Sequence, residues 1–140
     1  MSIGGFQLPL TGGCQCGGVR YEITQAPESL YVCHCRECRK QSASAFGISV
    51  IVPKTGFRLT KGTVKTWSRP TDSGRVLDCK FCPDCGSRVW HEGADLPELS
   101  VKGGSLDQPP DLSRAIHIWM SRKLPGVEIP TGAKIHPEEP

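Results

Sequence analysis

Cys82-Pro83-Asp84-Cys85-Gly86 is the stretch that most constrains the fold of this 140-residue chain. A Cys-x-x-Cys pair places two sulfur atoms on one metal ion, and the glycine after it gives the freedom that a tight turn needs. A second pair, Cys14-Gln15-Cys16, is followed by Gly17-Gly18, and in a flat strand its two thiols point to one face. These four cysteines, the cysteine quartet, predict a structural zinc site that joins distant parts of the chain and adds folding free energy.

Three further thiols lie within six residues, in Cys33-His34-Cys35-Arg36-Glu37-Cys38. Closed structural zinc sites take four protein ligands, whereas catalytic sites keep one position open for water or substrate. Cys33, Cys35 and Cys38, the central trio, therefore predict a second zinc site that carries the catalytic chemistry. The alternative is another closed site whose fourth ligand is His34 or a distant histidine. Because His34 lies between two ligands, its side chain is expected to point away from the metal.

The charge of the trio indicates what it would bind. Three thiolates on Zn²⁺ leave a net charge of about −1, which weakens Lewis acidity and suits thiol exchange better than water activation. A thiol substrate is therefore expected. Arg36, Arg39 and Lys40 flank the trio, where they would offset its charge and bind the carboxylates of a co-substrate. The alternative is that these cations form a solvated basic patch.

Two more residues carry reactive groups outside these clusters. Cys79 makes a second Cys-x-x-Cys with Cys82, so it is a competing ligand, a redox partner or a buried apolar residue, and burial is the favoured interpretation. His91 follows Trp90 in an apparent strand, where a structural role is favoured. Proton transfer by His91 or His34 is the alternative.

The remaining sequence predicts an all-β domain. Hydrophobic residues make up 37% of the chain, which also contains 16 glycines and 12 prolines, both high counts. We therefore expect a modest apolar core, for which metal crosslinks would compensate. Apolar segments are short, often alternating, and bounded by turn residues. No segment keeps a helical period over three turns, so we expect only a helical turn within residues 37–45. The predicted strands span residues 19–23, 45–52, 57–59, 64–67 and 114–119.

Charge and hydropathy exclude several protein classes. The net charge is +3, and no run of five like charges marks a nucleic-acid arm, so no nucleic-acid partner is expected. The amino end lacks the features of a signal peptide, and no apolar stretch reaches 18 residues, so no membrane partner is expected either. We therefore predict a cytoplasmic protein, in which the 8 cysteines are metal ligands or reactive thiols rather than disulfides.

Five motifs occur in a defined order along the chain. They are Gly13-Cys14-Gln15-Cys16-Gly17, Val19-Arg20-Tyr21-Glu22, Cys33-His34-Cys35-Arg36-Glu37-Cys38-Arg39-Lys40, Ser44-Ala45-Phe46 and Phe81-Cys82-Pro83-Asp84-Cys85-Gly86-Ser87. In this combination the chain resembles the glutathione-dependent formaldehyde-activating enzymes, the Gfa or CENP-V/GFA family. The resemblance predicts a CENP-V/GFA domain over residues 10–122, between an amino-terminal extension of residues 1–9 and a proline-rich tail of residues 123–140.

The resemblance also implies fold and chemistry. The implied fold consists of antiparallel sheets of the β-tent, Mss4-like type. In this family the cysteine quartet, Cys14, Cys16, Cys82 and Cys85, holds a tight structural zinc, and the central trio holds a more labile one. The name-giving reaction joins glutathione and formaldehyde to S-(hydroxymethyl)glutathione, formally a carbon–sulfur lyase reaction in reverse. Glutathione is thus the implied co-substrate, with Arg36, Arg39 and Lys40 as its expected binding residues.

Two other functions compete with this enzyme hypothesis. The first is a zinc-stabilised binding module, in which Trp67, Trp90 and Trp119 form part of a ligand-facing surface. The second is a redox or zinc-buffering protein, in which the labile trio oxidises or exchanges its metal. The sequence does not predict the oligomeric state.

Overall fold

A computed structural model describes residues 6–140, so the first five residues of the predicted extension lie outside the described part of the chain. The described residues form ten strands and one α-helix, joined by turns and short 3-10 segments. The strands are β1 (Leu10–Gly13), β2 (Arg20–Ile23), β3 (Ser29–Cys33), β4 (Gly47–Pro53), β5 (Phe57–Lys61), β6 (Lys65–Pro70), β7 (Val76–Phe81), β8 (Arg88–Glu92), β9 (Glu98–Lys102) and β10 (Ile116–Ile118), and the helix is α1 (Arg36–Ser42).

The strands form two sheets, which confirms the predicted β fold. The small sheet has the order β1-β2-β5, and the large sheet has the order β10-β3-β4-β9-β8-β7-β6. One pairing corrects the expectation of purely antiparallel sheets, because β10 runs parallel to β3. Parallel neighbours need a long connection. Here the connection consists of all the residues between β3 and β10. The last strand, β10, pairs with the side of β3 that faces away from β4.

The five predicted strands overlap β2, β4, β5, β6 and β10, and β8 contains the apparent strand expected at Trp90 and His91. The other four strands, β1, β3, β7 and β9, were not predicted, although buried residues alternate with partly exposed ones along β9. The predicted last strand is longer than β10, which ends at Ile118 because Trp119 adopts a left-handed conformation with φ of 55°. The predicted helical turn is observed as α1, which ends at Ala43 with φ of 51°. Within residues 6–140, no helix has the length and apolar content needed to cross a membrane.

The pleat of the large sheet separates core residues from cavity residues. Leu30 and Val32 of β3 are buried in the core, as are Leu99 and Val101 of β9. Successive side chains in a strand point to opposite faces, so the residues between them face away from the core. Phe57 joins the two sheets, since its ring centre lies 5.1 Å from that of Tyr21 and 4.8 Å from that of Trp90. One face of the large sheet therefore packs against the small sheet, and the other is free to form a site.

The proline-rich tail folds back along β10 through backbone hydrogen bonds. The backbone N–H of His117 donates to the Lys134 carbonyl at 2.9 Å, and the His136 N–H donates to the His117 carbonyl at 2.8 Å. Further along, the Trp119 N–H donates to the Glu138 carbonyl at 2.9 Å. These bonds hold the tail against β10 and bring its last residues to the edge of the large sheet.

Gly62 offers a test of the contact between the turn after Cys16 and the link from β5 to β6. Its φ is +80°, and an added Cβ would overlap the carbonyl oxygen of Gly18, whereas Gly74 has φ of +83° and open space around it. Gly74→Ala should cost about 1 kcal/mol of unfolding free energy through the left-handed backbone alone. Gly62→Ala should cost about 3 kcal/mol or more, since the backbone must also move. Urea unfolding with excess zinc measures both, and equal losses would contradict the described contact.

Candidate metal centres and active site

The cysteine quartet comes together as predicted. The sulfur atoms of Cys14, Cys16, Cys82 and Cys85 all lie within 4.8 Å of one another. Zn–S bonds of 2.3 Å in a tetrahedron place the sulfurs about 3.8 Å apart. The Cys14 and Cys16 sulfurs are 3.5 Å apart, and those of Cys16 and Cys82 are 3.8 Å apart. The donor set and its spacing therefore fit a tetrahedral zinc ion.

Two similar turns present these four thiols. The Cys14 N–H donates to the Val19 carbonyl, and the Cys82 N–H donates in the same way to Ser87, each across five residues. Gly17 and Gly86, which follow the second cysteine of each turn, both have φ of 79°. Cys14 and Cys16 thus lie in a turn after β1 rather than in the strand assumed from their spacing.

Hydrogen bonds to sulfur stabilise thiolates in both turns. The Val19 N–H lies 3.2 Å from the Cys14 sulfur, and the Asp84 N–H lies 3.4 Å from that of Cys82. Hydrogen bonds from the Ser87 hydroxyl and backbone lower the pKa of Cys85 to about 5. Such outer contacts orient ligands and favour their deprotonated, metal-binding form. The hydrogen bonds of the two turns thus favour the deprotonated, metal-binding form of these cysteines.

The central trio also converges, with its three sulfur atoms within 4.8 Å of one another. Cys33 ends β3, Cys35 caps α1 by accepting from the Cys38 N–H at 3.3 Å, and Cys38 lies in the first turn of α1. Among residues 6–140, no fourth histidine, cysteine or carboxylate donor joins this group. Hydrogen bonds from the thiols of Cys33 and Cys38 lower the pKa of Cys35 to about 2. The trio therefore fits a metal bound by three thiolates with one position open.

His34 points away from the trio, as its position in the sequence predicted. It is fully buried, and its Nε2 lies 3.0 Å from Nδ1 of His117 on β10. Burial, and then the charge of His117, lower the pKa of His34 to about 4, so the pair is neutral at pH 7. This contact ties the loop that carries two trio ligands to the last strand of the sheet.

The trio lies in the wall of a cavity of about 840 Å³ on the free face of the large sheet. Paired residues on neighbouring strands form its floor: Tyr31 pairs with Ser49, Ser49 with Lys102, and Ser100 with His91. Side chains of paired residues stand on the same face. Cavities of 300–1,000 Å³ are typical of small-molecule sites. The arrangement places three metal-ligating thiols beside a space of that size.

The three cations predicted to bind a co-substrate take different positions. Lys40 is exposed and lines the cavity, whereas Arg36 and Arg39 are not among its lining residues. Arg36 is exposed, and Arg39 is partly buried, with its Nε lacking a hydrogen-bond partner. Their role in binding a co-substrate therefore stays a prediction, and Lys40 is the one whose position favours it.

Four cations that line the cavity were not predicted from the sequence, namely Arg69, Arg75, Arg88 and Lys102. Arg69 and Arg75 form ion pairs with Glu37 and Asp95, which leaves Arg88 and Lys102. Lys102 donates to the Ser49 hydroxyl at 3.3 Å. Burial lowers its pKa, while the nearby thiols of Cys38 and Cys33 oppose that effect. Arg88 lies 5.3 Å from the centre of the Trp67 ring. Neither cation takes part in the ion pairs found within residues 6–140. Strand register brings both to the cavity that the trio borders, and the alternation of Ser100 and Lys102 with core residues in β9 signals this in the sequence for Lys102.

Cys79 and His91 are both buried. Cys79 pairs with His91 between β7 and β8, lies outside both metal-ligating groups, and has its pKa raised by burial, as favoured from the sequence. Arg88 donates to Nε2 of His91 at 3.0 Å. Burial, and then the charge of Lys102, lower the pKa of His91 to about 2. His91 is therefore neutral and holds Arg88, which favours the structural role over proton transfer.

The two metal groups should respond differently to loss of one ligand. Apparent zinc affinities of about 10–16 kcal/mol equal or exceed the stability of most domains, so Cys82→Ser should leave the chain largely unfolded at 25 °C. Cys35→Ser should fold and lose only the second zinc, because the three trio cysteines lie within six residues and join no distant parts of the chain. Zinc content by mass spectrometry and far-UV circular dichroism measure this. Cys79→Ala is the control and should keep both metals, whereas a folded Cys82→Ser protein with two zinc ions would contradict the assignment.

The buried His91 predicts a pH effect on stability. Its folded pKa lies below the unfolded value of about 6.5, so acidification protonates the unfolded chain first and stability falls as pH drops below 6.5. Between pH 7.5 and 5.5 the wild type should lose about 1 kcal/mol more than His91→Gln, which cannot titrate. Urea unfolding with excess zinc at both pH values gives the difference. Equal losses would show that His91 is not held neutral.

Comparison with known proteins agrees with this geometry. A crystal structure of a protein from Rhodobacter sphaeroides matches with a TM-score of 0.59 and 23% sequence identity, covering 76% of this chain and 98% of that chain. At this identity the match shows the fold alone. Residues 9–122 match the family described as glutathione-dependent formaldehyde-activating enzyme, which is well over half of the sequence. The chain therefore belongs to the family of glutathione-dependent formaldehyde-activating enzymes.

Proposed function

We propose that this protein is a zinc-dependent enzyme of the carbon–sulfur lyase type, which joins glutathione or a related thiol to an aldehyde. The observation that carries the proposal is the position of the central trio, which has no fourth ligand among residues 6–140 and lies in the wall of the cavity. A closed structural site needs no such space. The family description, which names glutathione and formaldehyde, supports the same substrates.

The reaction is an addition that needs no oxidant. The sulfur of the thiol forms a bond to the carbonyl carbon, the π electrons of the carbonyl move to its oxygen, and the thiol proton ends on that oxygen. When bound by the trio, zinc supplies a Lewis acid that keeps the substrate thiol deprotonated near neutral pH. Cys33, Cys35 and Cys38 would hold that ion at the cavity wall, with its open position available to the substrate sulfur.

Lys102 is placed to act on the oxygen. As a cation on the cavity floor near the thiols of Cys38 and Cys33, it would donate a hydrogen bond to the oxygen as negative charge develops there. The Ser49 hydroxyl, 3.3 Å from the Lys102 ammonium, holds it in place. Lys102 is thus proposed as the group that stabilises the transition state.

Other cations are placed to hold the co-substrate. Arg88 and Lys40 line the same cavity, and Arg88 is fixed by its contacts with His91 and Trp67. Guanidinium and ammonium groups bind carboxylates, of which glutathione has two. We assign carboxylate binding to Arg88 and Lys40. Arg36 and Arg39 remain candidates only if the co-substrate extends out of the cavity.

Adduct formation between glutathione and formaldehyde tests this proposal. The wild type with two zinc ions should accelerate exchange between free and hydroxymethylated glutathione, measured by NMR exchange spectroscopy. Cys35→Ser should abolish the acceleration while keeping the structural zinc. Lys102→Met should lower kcat about 100-fold, as loss of a donor to a developing oxyanion does, and Lys102→Arg should recover part of it.

The control is Lys65→Met, which removes an exposed lysine of β6 that lies outside the cavity lining. It should retain the wild-type rate. Exchange at the same rate with and without wild-type protein would refute the proposed enzyme activity. A wild-type protein that instead formed a disulfide within the trio on mild peroxide and released one zinc would support the redox alternative.

A further inference from the structure

The space beside the trio extends further along the sheet than the thiol end requires. A second recess of about 390 Å³ adjoins the main cavity, and the two share seven lining residues: Tyr31, Ile51, Leu77, Leu96, His91, Gly93 and Ser100. None of the trio cysteines borders this second recess. Tyr31, Ile51, Leu77 and Leu96, the apolar groove, therefore lead from the reacting end toward a separate compartment.

Charge divides the two ends. The main cavity, which contains the trio, is lined by more cations than carboxylates: Lys40, Arg69, Arg75, Arg88 and Lys102 against Glu37 and Glu139. The second recess is bordered by Glu28, Glu92 and Glu98 and by no lysine or arginine among residues 6–140. Carboxylates of a glutathione-like thiol are attracted to the first end and repelled from the second. The thiol component therefore occupies the trio end, and the apolar groove is left for whatever is attached to the carbonyl carbon.

Formaldehyde is too small to use that space. It has two heavy atoms and takes up at most the volume of about two waters, or ~60 Å³. The polar His91 and Ser100 border the apolar groove on the cavity floor, but its own four side chains carry only one polar group, the Tyr31 hydroxyl. Apolar walls gain free energy by covering apolar surface. The volume and the chemistry of the groove both fit a hydrocarbon chain or ring.

We propose that the apolar groove binds the hydrocarbon part of the aldehyde, so that the substrates of this enzyme are alkyl or aryl aldehydes and their thiol adducts. This inference rests on the proposed function, because it assigns the thiol to the trio end. Tyr31, Ile51, Leu77 and Leu96 are then the residues that determine aldehyde specificity.

Thioether analogues test the groove without requiring catalysis. S-hexylglutathione and S-methylglutathione carry the same charges and differ only in five methylene groups. If about half of that length is buried in the groove, the wild-type protein should bind the hexyl compound on the order of 30-fold tighter in calorimetric titrations. Leu77→Trp, which fills the groove from β7, should reduce that ratio below about 5-fold and leave the methyl compound unaffected.

Ile135→Trp is the matched control, since Ile135 is 52% exposed and lies outside both cavities. It should keep the wild-type ratio. Equal affinities for the two compounds, no binding of either, or an unchanged ratio in Leu77→Trp would each overturn the inference.

The rate of adduct formation separates this inference from the proposed function. Adduct exchange of glutathione should be accelerated more for hexanal than for formaldehyde, relative to the rates without protein. If the protein accelerates adduct exchange with formaldehyde alone and binds the two thioethers equally, the groove proposal is refuted and the proposed enzyme activity is supported. If it prefers the hexyl compound but accelerates adduct exchange with no aldehyde, the groove proposal is supported and the proposed enzyme activity is refuted.

Discussion

Four sulfur atoms, presented by two turns, join the two sheets of this protein. Cys14 and Cys16 follow β1 of the small sheet, and Cys82 and Cys85 lie in the turn between β7 and β8 of the large sheet. The aromatic contacts of Phe57 with both sheets cover only part of the interface. In a chain with 9 aromatic residues, a metal bound by these thiols supplies free energy that the apolar core alone would lack.

Packing of the core face of the large sheet determines which side chains stand on its other face. Since side chains alternate across a strand, every core residue in β3, β4 and β9 fixes a neighbour on the free face. Val32 and Val101 are fully buried, and Cys33 and Lys102 beside them line the cavity. The reactive thiols and the cations meet because both are held in register with the same hydrophobic core.

This dependence on register explains what the sequence predicted and what it did not. The cysteine pairs, the trio, the direction of His34 away from the trio and the β class follow from spacing over a few residues, which is a local property. The positions of Lys102 and Arg88 in the cavity do not follow from local spacing, since they depend on the pairing of β9 with β4, which is far away in the sequence, and on β8 beside β9. The parallel pairing of β10 with β3 likewise depends on tertiary structure, because it is determined by which edge of the sheet is unpaired where the chain reaches residue 116.

Charge balance connects the trio to Lys102. A trio of thiolates on a divalent ion carries a net charge of about −1, and adding a further thiolate makes it more negative. Within residues 6–140, Lys102 forms no ion pair with a carboxylate, and the thiols of Cys38, Cys33 and Cys79 are the groups that favour its charged form. A partly buried cation without a carboxylate partner would otherwise destabilise the fold. The trio and Lys102 thus stabilise each other, and in the proposed reaction the same lysine would face the oxygen on which charge develops when sulfur attacks an aldehyde.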